Sequence, residues 1–222
     1  MSLRCLFIVQ GEGRGHLTQA LALGRLLRDA GHRVPRVVVG QSDRRRVPGF
    51  FAEKIEAPLS FIQSPNFVAD ADNRTVRPWA TLARGLKNSR RLYRELGVLR
   101  ETIEQVAPDV VVNFFEPMAG WAYFRYAPGP PLVCVAHQYM FLHPAYRFPP
   151  GRPVSRAMAR AFARSTAFRA DRCLALSLYP AASPTPEPKL TVMPPLLRPE
   201  LFDQPLGRTE PFFLVYIVNS GY

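Results

Sequence analysis

Cysteine, acidic side chains and long apolar runs are all scarce in this 222-residue chain, and each scarcity removes a class of protein. Cys5, Cys134 and Cys173 are odd in number, far apart and set among apolar residues, which argues against a disulfide framework or a zinc site and predicts buried free thiols. No apolar run approaches the roughly 20 residues of a membrane-spanning helix. Met1-Ser2-Leu3-Arg4 leads straight into a strand-like run without a cleavage pattern, so a cytoplasmic location is expected. Neither a metal nor a resident cofactor is expected. With 47% hydrophobic residues the chain has ample material for a packed core, and disorder is excluded.

Acid is short by a wide margin: 17 Asp and Glu stand against 29 Lys and Arg, a formal net charge of +12. The imbalance is concentrated. Residues 74–100 hold eight basic side chains and one acid, and residues 147–172 hold seven and one, both with aromatics interleaved. Such segments are either solvated faces or a surface for an anionic membrane or a phosphorylated acceptor. No nucleic-acid recognition motif accompanies the charge, and no nucleic-acid partner is expected.

What the chain does contain is an alternation of strand-like and helix-like runs. Leu3 to Val9, Val34 to Val39, Leu59 to Ile62, Val110 to Phe115, Leu132 to Ala136, Leu174 to Leu178 and Leu190 to Met193 read as strands. Helical patterns fall between them at Leu17 to Arg28, Pro78 to Val106 with a break near Asn88 or Gly97, and Ser155 to Ala170, the last with a stripe of Arg156, Arg160 and Arg164. The expected fold is α/β, a doubly wound, Rossmann-like parallel sheet with helices on both faces. Residues 1–179 form its body. Residues 180–211 carry nine prolines and read as a last strand and an interdomain linker, and residues 212–222 resemble the first strand of a further domain.

The chemistry concentrates where the first strand breaks into Gly11-Glu12-Gly13-Arg14-Gly15-His16 and a helix begins. Three glycines in five positions remove the side chains that would keep a ligand or a neighbouring backbone away, and a helix N-terminus aimed at the gap favours anions. At that end the macrodipole opposes imidazolium, so His16 is expected as a neutral base. No Lys-Ser or Lys-Thr follows, which excludes a P-loop. His16 stands where the dinucleotide fingerprint needs its third glycine, and Asp43, the candidate ribose-binding acid, is followed directly by Arg44, Arg45 and Arg46; an NAD(P)-binding oxidoreductase is the lower alternative.

Gly11 to Ala20 resembles the N-terminal signature of GT-B glycosyltransferases, in the bacterial and archaeal group related to the lipid II-forming N-acetylglucosaminyltransferase and to UDP-glycosyltransferases. Pro108 to Pro117, His137-Gln138 and Pro194 to Pro199 look like later landmarks of the group in the same order. The resemblance implies the N-terminal, acceptor-side domain of an enzyme that moves a sugar from a nucleotide donor, UDP-linked, to an acceptor that could be lipid-linked. Inversion at the anomeric carbon follows if His16 is the general base. Gly11, Gly13, Arg14 and Gly15 then face the donor diphosphate or the acceptor. Glu116, or Asn113 within the preceding strand, is the candidate for orienting His16, with Glu12 a third; Asn113, His137 and Gln138 are candidates for acceptor contact. The family's donor-binding motifs belong to a C-terminal domain expected in cis or in trans. A non-catalytic, membrane-docking or acceptor-recruiting half of a split enzyme is the alternative, at the inner face of the membrane.

Overall fold

The first strand shows why the sheet is covered on both sides. In the computed structural model, which describes residues 1–42, 47–65, 85, 87–180, 188–202, 207 and 211, β1 (Arg4–Gln10) sends Cys5, Phe7 and Val9 to one buried face and Leu6 and Ile8 to the other. A strand with no polar alternation can be stable only where both faces are packed. The chain supplies those layers in sequence order as α1 (Arg14–Asp29), β2 (Arg33–Gln41), α2 (Gly49–Lys54), β3 (Leu59–Gln63), α3 (Ser89–Val106), β4 (Val110–Phe114), α4 (Pro117–Tyr126), β5 (Leu132–Ala136), α5 (Pro153–Thr166), β6 (Arg172–Leu176) and β7 (Leu190–Met193). A short 3-10 segment, His137–Leu142, follows β5, and another, Pro199–Leu201, follows β7.

All seven strands run parallel, in the spatial order β3-β2-β1-β4-β5-β6-β7. The order reverses between β1 and β4. In an open parallel sheet that reversal splays the connections to opposite faces and leaves a crevice beyond the carboxyl ends of the two strands. Cys5, Phe7 and Val9 pack with Leu17, Ala20, Phe51 and Ile55 of the α1 and α2 layer. Leu6 and Ile8 pack with Leu99, Ile103, Met118, Ala122 and Ala163 of the α3, α4 and α5 layer. Within the second layer Gly120 lets α4 lie on the backbone at Ser165 and Thr166; a Cβ there would overlap the Ser165 carbonyl oxygen.

The expected α/β class and parallel sheet are present, with three local differences. Helices α2 and α4 fall where no helix is expected from sequence: α2 is only 6 residues long, and the apolar, aromatic run Pro117 to Tyr126 has no polar stripe to set a helical period. Helix α5 begins two residues early, at Pro153, because proline's fixed φ suits a first helical position; it ends at Thr166, before Arg169 takes a left-handed φ of 59°. Strand β6 then starts at Arg172, two residues before its expected start, whereas β7 completes the sheet at the expected Leu190–Met193. The three cysteines are buried and free, as expected. Asp43, the arginines at 74, 77 and 84, and the strand expected at 212–218 lie outside the described residues.

Candidate active site

The glycine loop leaves β1 hard against β2. The Gly11 amide donates to the Gly40 carbonyl at 2.7 Å, and a Cβ at position 11 would crowd that oxygen and the Val39 side chain, so this glycine serves the close approach of two backbones. Glu12 Oε1 accepts from the Ser42 amide at 3.0 Å and ties the loop to the end of β2. Gly13 and Gly15 are different. Gly13 is the N-cap of α1 at an ordinary extended φ of −121°, and a Cβ on Gly15 would meet nothing within 4 Å. A glycine in a helical turn is less stable than alanine by about 0.5–1 kcal/mol. No packing contact requires it at position 15. The bare first turn, with no side-chain cap, no acidic residue and an exposed Arg14, leaves its amides facing outward beside the crevice.

His16 turns inward from this turn and is only 7% exposed. Its ring stacks on Phe115, with centroids 5.6 Å apart and planes 15° from parallel. Burial pushes its pKa down to about 4; the neighbouring Gln19 side chain opposes the shift and nearby His137 adds to it. At neutral pH the imidazole is therefore uncharged. Phe115 owes its position to a left-handed backbone (φ 61°) at the exit of β4, and its ring also meets Tyr139 and Phe162 edge-on at 5.4 and 5.6 Å.

That strained turn is stapled by Asn113. Its Oδ1 accepts from the Glu116 amide at 2.8 Å, and its Nδ2 donates to the Thr166 carbonyl at 2.8 Å and to the Glu116 carbonyl at 3.2 Å. Asn113 has no exposed surface, and both its amide atoms are engaged in holding the turn. Glu116 is likewise fully buried. Its Oε1 caps α4 by accepting from the Met118 amide at 3.1 Å and from Ser64 Oγ at 2.7 Å. Oε2 has no hydrogen-bond partner among the described residues and occupies the space that a side chain on residue 40 would need, so only glycine at 40 admits the carboxyl group. Burial lifts the Glu116 pKa to about 7 against the lowering effect of Ser64 and Met118, and Glu12 raises it further. No hydrogen bond joins Glu116 to His16.

The group that does meet His16 is Gln138, whose amide nitrogen lies 3.3 Å from His16 Nε2. Its neighbour His137 is exposed at the start of the 3-10 segment and donates from Nδ1 to the Leu176 carbonyl at 2.9 Å. The β1, β4 and β5 exits thus bring the glycine loop, His16, Phe115, His137 and Gln138 to one place. Asn113 and Glu116 sit beneath it as supports. Sequence reasoning missed Phe115, Ser64 and Gly40; a glycine closing the apolar run Val37-Val38-Val39 signals a close approach at a strand end. His143 is fully buried, with Nδ1 accepting from the Ala145 amide at 3.1 Å. No group of three or more His, Cys, Asp or Glu side chains suited to a metal occurs among the described residues.

A doubly wound parallel sheet with a bare glycine turn and a buried histidine at its switch point fits the N-terminal region of a glycosyltransferase of GT-B architecture. Residues 3–222 match the family model described as Glycosyl transferase family 1, and the chain belongs to that family. Solved structures agree on the fold. The glycotransferase of kitacinnamycin is similar at 17% identity with a TM-score of 0.51, covering 94% of this chain and 55% of its own. UGT2 of Phytolacca americana, solved with UDP-2-fluoro-glucose and pterostilbene, is similar at 11% identity with a TM-score of 0.50, covering 78% of this chain and 48% of its own. MurG of Acinetobacter baumannii aligns at 14% identity over 83% of this chain and 44% of its own, with a TM-score of 0.47. The chain spans about half the length of these relatives. No curated protein matches the sequence.

Proposed function

We propose that this chain is the acceptor-side half of an inverting glycosyltransferase that takes its sugar from a UDP-linked donor. The observation that carries the reading is the neutral, buried His16 beside a glycine turn that the packing leaves bare. His16 removes the proton from an acceptor hydroxyl as that oxygen attacks the anomeric carbon; the carbon–oxygen bond to the diphosphate breaks, and the nucleoside diphosphate leaves with the electron pair. The outward amides of Gly13, Arg14 and Gly15 favour the anionic diphosphate. His137 and Gln138 line the acceptor side.

One wall of a cleft binds weakly. These 222 residues alone are expected to show little affinity for UDP-sugars and no transfer, with both restored when the donor-side half is supplied in the same polypeptide or a second one. Calorimetry and product analysis test this. Micromolar donor binding with turnover by the 222 residues would overturn the two-half reading, and a product of retained anomeric configuration would remove the single displacement.

A membrane-associated acceptor fits a second surface. Tyr93 and Phe124 are 53% and 68% exposed on α3 and α4. The Phe124 ring lies 5.3 Å from Phe168, and Arg125 Nη2 donates to the Tyr93 hydroxyl at 3.3 Å. Arg90, Arg94, Arg164 and Arg169 are exposed on the same helical layer or just after it. No described helix is long and apolar enough to cross a membrane. Each basic residue near an anionic surface contributes about 1 kcal/mol, so docking should be reversible and should weaken as salt shortens the Debye length. Sedimentation with anionic liposomes is expected to exceed that with neutral ones at low salt and to fall at high salt; equal binding to both would leave these arginines as solvated charge.

A further inference from the structure

The two imidazoles at the crevice are held in different ways. His137 donates from Nδ1 to a carbonyl, which can only accept, so its proton is on Nδ1 and its Nε2 is the basic nitrogen. Nδ1 of His16 has no hydrogen-bond partner among the described residues, and its Nε2 faces the amide nitrogen of Gln138 at 3.3 Å. An amide NH2 carries two donors and no acceptor, so the ring nitrogen opposite it must be the unprotonated one. Neutral His16 then carries its proton on Nδ1.

We propose that Gln138 is a positioning residue that fixes His16 as the Nδ1–H tautomer and so keeps its Nε2 lone pair available to take a proton. The opposite amide orientation would have Oε1 accepting from Nε2–H and would leave the lone pair on Nδ1. That nitrogen is buried, with no hydrogen-bond partner among the described residues, and an incoming hydroxyl cannot reach it. The choice of tautomer therefore decides whether His16 can work as a base. Gln138 Oε1 also has no hydrogen-bond partner among the described residues, so the amide is held at His16 by the Nε2 contact and an acceptor hydroxyl can take its place there. The proposal deepens the reading of His16 as the base, yet it can be tested without turnover.

Two-bond proton–nitrogen spectra of the whole chain with 15N-labelled histidine, recorded above pH 7, report which ring nitrogen is protonated. His16 is expected to show the Nδ1–H pattern, as His137 does. Gln138→Glu places an acceptor-only carboxylate opposite Nε2 and should invert the His16 tautomer; Gln138→Met removes the donor and should leave a mixture. The His137 signal serves as the control for intact folding. A wild-type His16 protonated on Nε2 overturns the proposal without any variant, and so does a tautomer unmoved in both. In the complete enzyme Gln138→Glu should lower kcat by about 10² to 10⁴, the size of a lost general base. Inversion of the tautomer with kcat unchanged would retain the role of Gln138 and remove that of His16.

Discussion

Replacing His16 by alanine in the complete enzyme is expected to lower kcat by about 10² to 10⁴ while the chain still folds. The size is that of a positioned general base. Folding should survive because the imidazole contributes one long hydrogen bond, to Gln138, and a stacking contact with Phe115, whereas the turn beneath it is held independently by Asn113. The pH profile supplies the sharper measurement. A base with a pKa near 4 in the free enzyme gives a rate plateau that extends well below neutrality, and the acid limb of the profile should be missing in His16→Ala. A variant with normal kcat would reduce His16 to a helix-start residue packed on an aromatic ring.

The second large effect is a pair of opposed pH dependences in stability. Glu116 is raised from its ordinary 4.5 to about 7, so its contribution is full below pH 4.5 and is lost as pH rises to 7, because only the folded state holds the proton in that interval. His16 is lowered from 6.5 to about 4. Its contribution is full above pH 6.5 and is lost as pH falls to 4, because there the unfolded state binds the proton. Each displacement corresponds to about 3 kcal/mol, and in the wild type the two slopes offset one another across the shared window. Single substitutions should expose them. Relative to wild type, Glu116→Gln should gain stability as pH rises from about 4.5 to 6.5, and His16→Gln should lose it over the same interval, read from denaturant midpoints at a series of pH values. Parallel curves for the two variants would show that neither group is buried in the state assigned to it.

Much of this protein was legible before any coordinates. Short hydrophobic runs rich in β-branched residues and without polar alternation read as strands packed on both sides, and helical runs between them required parallel crossovers, so the α/β class and six of the strand positions followed from periodicity and composition. β6 was displaced by two residues because the left-handed Arg169 ends the preceding turn early, a backbone state that an arginine does not advertise. Helix α4 was hidden because its run from Pro117 to Phe124 is apolar throughout, so no polar stripe sets a helical period even though Phe124 is exposed.

The division between sequence and tertiary structure is clearest at the site. The local order strand, glycines, histidine was enough to place His16 on the first turn of a helix, but the burial that keeps it neutral is tertiary, because Phe115 at the exit of β4 covers the ring. Its partner was not local. Glu116 had the right chemistry and stood beyond the right strand, but the amide of Met118, the hydroxyl of Ser64 and the gap left by Gly40 draw its carboxyl group to the β2 and β3 side of β4. Gln138, 122 residues from His16 in sequence, arrives because β5 lies next to β4 in the sheet. A residue's chemistry can be read from its type. Which way a side chain turns at a strand exit depends on the space and the hydrogen-bond partners that other strands leave it, and only the assembled sheet sets those.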